Sequence, residues 1–276
     1  MSEFRFDPDR DFLLALCSAP GIGGTTLIRV LEHCELIRLK PDLFFQFPAV
    51  ELCNQFGISM KAAKALERNA LALQGQIEGY WRRVEQKPVA LLTANSPLYP
   101  ERIRAFMSSP PGFVFAYGNL EVLRQRTFCI ACSRDVEPKG LEVVEQAVEE
   151  GVLRGEVLVT GANTDAYRRG AVVPLRWGSP RVLVLDRGLF RALGDSLTDE
   201  PFSVARLWRY NFDPTVDLVV SAVLPDVEFL PGANRQRDEL VFALSDRVDV
   251  VHLSKSGNSA KLVERMREGE REVVER

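Results

Sequence analysis

Three loops carry the residues best suited to chemistry on a negatively charged ligand. The first is Cys132-Ser133-Arg134-Asp135-Val136-Glu137-Pro138-Lys139-Gly140. Its hydroxyl, guanidinium and ammonium suit phosphate oxygens, with Arg134 favoured for two-pronged contact. The second is Thr160-Gly161-Ala162-Asn163-Thr164-Asp165, where Gly161 admits close backbone approach and Asn163 or Thr164 caps a following helix. The third is Leu253-Ser254-Lys255-Ser256-Gly257-Asn258-Ser259, which opens a helix with hydroxyls, a glycine and one lysine. It is not a P-loop, because G-x-x-x-x-G-K-[ST] is missing. A fourth basic segment, Pro231 to Leu240, holds Arg235 and Arg237 two residues apart. Two such arginines cannot both face a helix core, so one or both should reach the ligand edge or the rim. Each segment also has a plain structural reading, as a solvated turn that caps the next helix.

These loops need a scaffold that brings them together. Residues 1–86 read as helical, with apolar positions at helical spacing around Phe12–Leu16, Leu27–Leu31 and Val50–Phe56. Ser59 is placed to cap a further helix carrying Ala62, Ala63, Leu66, Ala70 and Leu73. Pro20-Gly21-Ile22-Gly23 between two helices resembles a helix-hairpin-helix turn, so this part is expected to be a small all-helical (SAM-like) domain. Free N–H groups at the start of its second helix could hold a phosphate, with charge added by Lys61 and Lys64.

After Lys87-Pro88 the pattern changes. Short β-type runs at Val89–Thr93, Gly112–Tyr117, Phe128–Cys132, Val157–Thr160, Val182–Leu185, Leu218–Ser221 and Val248–Leu253 alternate with helical stretches. Those stretches are Leu141–Gly151, Asp165–Val173, Val204–Arg209, Arg235–Leu244 and Ser259–Arg267. Such alternation predicts an α/β fold over residues 87–268, with a mostly parallel, Rossmann-like sheet covered on both faces. Residues 269–276 read as a charged, frayed tail. In an open α/β sheet, ligands sit beyond the carboxyl ends of the strands, where the three loops emerge.

Bulk properties narrow the function classes. The 276 residues carry a net charge of −3, which argues against non-specific coating of nucleic acid and leaves room for a local basic groove. The five cysteines, odd in number, suit a reduced cytoplasmic protein. No apolar run reaches the ~18 residues a membrane helix needs, and the charged first ten residues lack a signal-peptide core. Cys129-Ile130-Ala131-Cys132 lies in a strand, where residues three apart face opposite ways, so no disulfide or metal site is expected. The two histidines, His33 and His252, have no nucleophile partner in the sequence, and catalysis is not expected. No cofactor is expected either.

Taken in order, the loops resemble the DNA-processing protein A (DprA/Smf) family over most of the chain. Cys132-Ser133-Arg134 through Lys139-Gly140 is similar to G-S-R-x-x-S-x-Y-G, and Thr160 to Asp165 is a shortened S-G-x-A-x-G-I-D. Val182–Leu185 with Gly188-Leu189 resembles the strand before G-x-G-L-D. Gln236 to Asp246 is similar to R-R-N-R-I-I-A-x-L-S-D, and Lys255 to Ala260 to the K-S-G-S loop. Departures are Cys132 for glycine, Glu137 for serine, Lys139 for tyrosine, and Asp238-Glu239 for Asn-Arg, which reverses charge. The resemblance implies single-stranded DNA binding, loading of a RecA-type recombinase in DNA recombination or transformation, and self-association as a homodimer. The expected phosphate contacts are Ser133, Arg134, Lys139, Gly140, Gly161, Asn163, Arg235, Arg237, Lys255, Ser256, Gly257, Asn258 and Ser259. Two alternatives remain open on the same fold. Acidic charge and Asp238-Glu239 suit a sensor of a nucleotide or nucleotide derivative. Glu264 on the last helix leaves room for a nucleoside-monophosphate phosphoribohydrolase, although the P-G-G-x-G-T-x-x-E spelling is missing.

Overall fold

The computed structural model describes residues 12, 15–16, 19, 21–68, 79, 83–84, 87–94, 98–228, 230–254 and 257–276. The chain forms two units: one of Met1–Lys87 with Thr93–Ser96 and Ser109–Phe113, the other containing the rest.

In the first unit, α1 (Gly24–Leu36), α2 (Pro41–Phe44) and α3 (Ala49–Phe56) precede a further helix over residues 60–68. Leu27, Val30, Phe44, Leu52, Phe56, Ala62, Ala63 and Leu66 pack into one core, as their helical spacing requires. Ser59 caps the last of these helices, accepting a hydrogen bond from the Ala62 N–H at 3.3 Å. Gly21 takes the left-handed backbone (φ +92°) that the turn before α1 needs. Pro20, Ala70 and Leu73 lie outside the described residues. The His33 ring packs edge-on against Phe56, with centroids 5.2 Å apart.

The second unit is built on an eight-stranded sheet. Its strands are β1 (Val89–Thr93), β2 (Phe113–Gly118), β3 (Thr127–Cys132), β4 (Val157–Thr160), β5 (Arg181–Leu185), β6 (Leu218–Ser221), β7 (Arg247–His252) and β8 (Glu272–Glu275). Their spatial order is β1-β2-β6-β5-β4-β3-β7-β8. From β6 to β8 every pairing is parallel, and β2 joins β6 antiparallel. The expected mostly parallel, Rossmann-like α/β architecture is therefore present.

The connecting helices are α4 (Glu101–Phe106), α5 (Pro138–Leu153), α6 (Asp165–Trp177), α7 (Leu189–Leu193), α8 (Ser203–Leu207), α9 (Ala233–Ala243) and α10 (Asn258–Glu268). Phe128, Ile130 and Leu158 from one face of β3 and β4 pack on Val144, Ala147 and Val148 of α5 and on Ala166 and Val173 of α6. Each of the buried Phe, Ile, Leu and Val side chains among these contributes roughly 1.5–3 kcal/mol. α6 runs past the expected end at Val173, through Pro174, and stops at Gly178 in the left-handed region.

The chain steps from β3 to β4, β5 and β6 in one direction, then returns to place β7 on the other side of β3. The strand order therefore reverses between β3 and β7, and the loops leaving their carboxyl ends diverge to open a crevice.

Residues 269–276 are not a frayed tail. Glu272–Glu275 extend the sheet as β8, parallel to β7, and Arg276 bonds the buried Asp249 carboxylate. A charged edge strand is stable here because its outward residues are solvated and its backbone pairs on one side.

Candidate nucleic-acid interface

A crevice of about 400 Å³ opens at this reversal point. It is lined by Cys132 to Asp135 after β3, Thr164 and Tyr167 at the start of α6, Asp238 on α9, and Ser254 and Gly257 to Ser259 after β7. Ligand pockets in open α/β sheets form at this place for the topological reason given above.

The β3 and β7 loops are tied to each other. Ser133 N–H donates to the His252 carbonyl at 2.8 Å, and Ser254 N–H donates to Ser133 Oγ at 2.8 Å. Ser254 Oγ–H donates to Asp135 at 2.7 Å, and His252 Nε2 stands 3.3 Å from the same carboxylate. The Ser254 hydrogen bond holds the Asp135 carboxyl below its usual range. Gly257 N–H closes the turn on the Ser254 carbonyl at 2.9 Å, and Gly257 then leads into α10 without a side-chain cap. The first turn of α10 therefore offers N–H groups that no cap side chain occupies, at the positive end of the helix dipole.

Arg134 is exposed and makes no hydrogen bond or ion pair among the described residues. Its charge acts on the nearby Asp238 carboxyl, while its hydrogen-bonding groups are open at the crevice. Ser133, Arg134, Gly257, Asn258 and Ser259, all expected as phosphate contacts, come together here. Lys255 and Ser256 lie outside the described residues.

The other expected contacts are placed differently. Lys139 and Gly140 sit in the first turn of α5 and do not line the crevice. Asn163 Nδ2–H donates to Asn234 at 2.7 Å, joining the loop after β4 to the start of α9. Arg235 projects to solvent beside Glu239, 3.1 Å away. Arg237 is the clear correction: it is 1% exposed, so it is not offered to a ligand. Its Nε–H donates to Asp238 at 2.9 Å and its Nη1–H to Asp186 at 3.4 Å, while the guanidinium covers the Tyr167 ring at 5.2 Å. Two apart on α9, Arg235 and Arg237 face different ways, and buried Asp186 takes Arg237, the inward one. Gly161 serves this packing. A Cβ there would stand 2.8 Å from Arg237 Cδ and 2.8 Å from a Tyr167 ring carbon. Its smallness makes room for the arginine and the ring, not for a ligand in the lining.

Tyr167 and Asp238 line the crevice although neither was expected as a contact. Tyr167 Oη–H donates to Asp238 Oδ1 at 3.0 Å. Burial pushes the Asp238 carboxyl up, against the opposing pull of Arg237. Burial, reinforced by Asp238, pushes the Tyr167 phenol well up. A sequence signal existed for Tyr167, since it falls in the first turn of the helix opened by the second loop.

Glu264 is not among the crevice-lining residues; it is exposed and paired with Arg267. The thiols of Cys129 and Cys132 are free, and burial pushes them up to about 12 and about 11. Among the described residues no group of His, Cys, Asp and Glu could hold a metal ion. Among them, too, no helix is long and apolar enough to cross a membrane.

Comparison with known proteins agrees with this topology. The family model of DNA recombination-mediator protein A matches residues 90–275. The solved structure of DNA processing protein A from Streptococcus pneumoniae superposes with a TM-score of 0.69 at 18% identity, covering 99% of this chain and 87% of that one. DNA processing protein A from Helicobacter pylori, whose single-stranded DNA binding mode has been described structurally, gives a TM-score of 0.50 at 14% identity. That match covers 68% of this chain and 80% of the other. No curated protein matches the sequence. With a matching model that spans the whole sheet and crevice, the chain belongs to the DNA recombination-mediator protein A (DprA) family.

Proposed function

We propose that this protein binds single-stranded DNA, seating backbone phosphates in the crevice between the β3 and β7 loops. One observation carries the reading: Ser133, the unpaired Arg134 and the uncapped start of α10 converge at the point where the strand order reverses. Hydroxyl, guanidinium and helix N–H groups are the donors that phosphate oxygens accept from. The Helicobacter pylori relative, which binds single-stranded DNA, supports the choice of ligand. Loading of a RecA-type recombinase and assembly as a homodimer rest on family membership. Both are part of the proposal.

The test is fluorescence anisotropy with mixed-sequence single-stranded and duplex oligonucleotides between about 50 and about 200 mM salt. Tighter binding of the single strand, weakening with salt by about 0.7 log units per phosphate contact per log unit of salt, supports the reading. No binding at low salt ends it. A second reading, a sensor of a free nucleotide, is favoured by the crevice volume of about 400 Å³ and by its acidic members Asp135 and Asp238. It requires a thermal shift with a mononucleotide that exceeds any shift with an oligonucleotide.

A further inference from the structure

The crevice is bipolar. Its described lining holds one guanidinium, Arg134, and two carboxylates, Asp135 and Asp238. Asp135 is already engaged by Ser254 and His252. Asp238 is only half engaged. Its Oδ1 accepts from both Tyr167 Oη–H and Arg237 Nε–H, and no described donor meets Oδ2. The Asp238 side chain is 22% exposed, so this oxygen is open to solvent at the crevice and can exchange water for a donor on the ligand. Phosphate has no hydrogen to give and would be repelled there. A nucleotide has both ends: an anionic phosphate for Arg134 and, on three of the four bases, an amino group.

We propose that Asp238 selects the base, its Oδ2 accepting an amino hydrogen from cytosine, adenine or guanine and disfavouring thymine. This rests on the reading of the crevice as a single-stranded DNA site. Cytosine, adenine and guanine carry exocyclic amines, whereas thymine presents carbonyl oxygens beside its one imino hydrogen. Tyr167 and Arg237 hold Oδ1, so the carboxyl cannot rotate away from the ligand without breaking two bonds. The chain departs from its family at this position, having Asp238 where the family motif has asparagine. An asparagine at this position would put an N–H₂ donor where this chain has an acceptor.

The experiment compares labelled oligo-dC and oligo-dT of equal length, with a mixed-sequence strand as reference. Wild-type protein should bind oligo-dC about tenfold more tightly, the worth of one hydrogen bond to a charged group. Oligo-dC made with N4,N4-dimethylcytosine should lose that advantage, which tests the contact with no change to the protein. Asp238→Asn, whose amide oxygen can still accept from Tyr167 and Arg237, should bring the two homopolymers within about twofold or reverse their order. Tyr167→Phe should keep the preference, since the carboxylate remains. Equal wild-type affinity for oligo-dC and oligo-dT, with salt-dependent binding of the mixed strand intact, overturns the base selection alone. Failure to bind any single strand overturns the underlying reading as well.

Discussion

Replacing Arg237 with methionine separates a structural arginine from a ligand-binding one. The side chain is 1% exposed and lies between two carboxylates, Asp238 at 2.9 Å and Asp186 at 3.4 Å. Methionine fills similar volume but leaves Asp238 without its buried counter-ion and Asp186 with Arg187, 3.2 Å away. Breaking a buried pair in this way costs about 3–5 kcal/mol. In a domain of 150–250 residues, at about 2–4 °C per kcal/mol, the melting temperature should fall by about 6–20 °C. The loss should depend on pH in a definite direction. Burial already raises the Asp238 carboxyl, and Arg237 is the main group opposing the rise. Without Arg237 it rises further. A raised carboxyl favours the folded state least when ionised, so that penalty grows as pH climbs from 3.8 through the raised value. The deficit should therefore be smaller at about pH 5 than at about pH 8. Urea denaturation at both pH values, with oligonucleotide binding measured on the folded fraction, gives the answer. A loss below about 1 kcal/mol together with abolished binding would refute the burial argument and return Arg237 to the ligand.

Arg134→Ala should leave the melting temperature within about 1 °C, since Arg134 is exposed and makes no hydrogen bond or ion pair among the described residues, while lowering the salt slope of single-strand binding by about 0.7; an unchanged slope removes it from the phosphate site. With Cys132 pushed up to about 11, about one thiol in a thousand is ionised at pH 8, and Cys129 is buried beyond that. Iodoacetamide at that pH should label neither in the folded protein; rapid labelling would show that the β3 end opens. Arg276→Ala should cost about 1–3 kcal/mol in urea denaturation, because Asp249 is fully buried and would keep Arg247 as its one counter-ion. A neutral result would mean that β8 contributes little.

The parallel core was legible because its strands are continuous runs of Val, Leu and Ile, as in Val157–Thr160 and Leu218–Ser221, and buried strands need such runs. The three loops were legible for a related reason: glycine and hydroxyl residues between a strand and a helix mark the carboxyl edge of the sheet. What stayed hidden was carried by charge. Glu272–Glu275 looked like solvated tail, yet the backbone pairs regardless of its acidic ends. Arg181 begins β5 one residue before the expected start, buried among Asp217, Glu200 and the Ala171 carbonyl. Charged side chains are rarely buried unless paired, and the pairs here join residues far apart in sequence. The same holds for Arg237, whose partner Asp186 lies 51 positions away. The antiparallel joining of β2 to β6 has no local signature either.

Hydrogen exchange of the folded protein with and without a single-stranded oligonucleotide addresses the central claim most directly. Slowed exchange confined to residues 132–136 and 257–260 is the predicted footprint. Protection that instead falls on the arginine-lined hollow at the amino ends of the strands (Arg126, Arg154, Arg247 and Arg276), with both crevice loops unchanged, would contradict it.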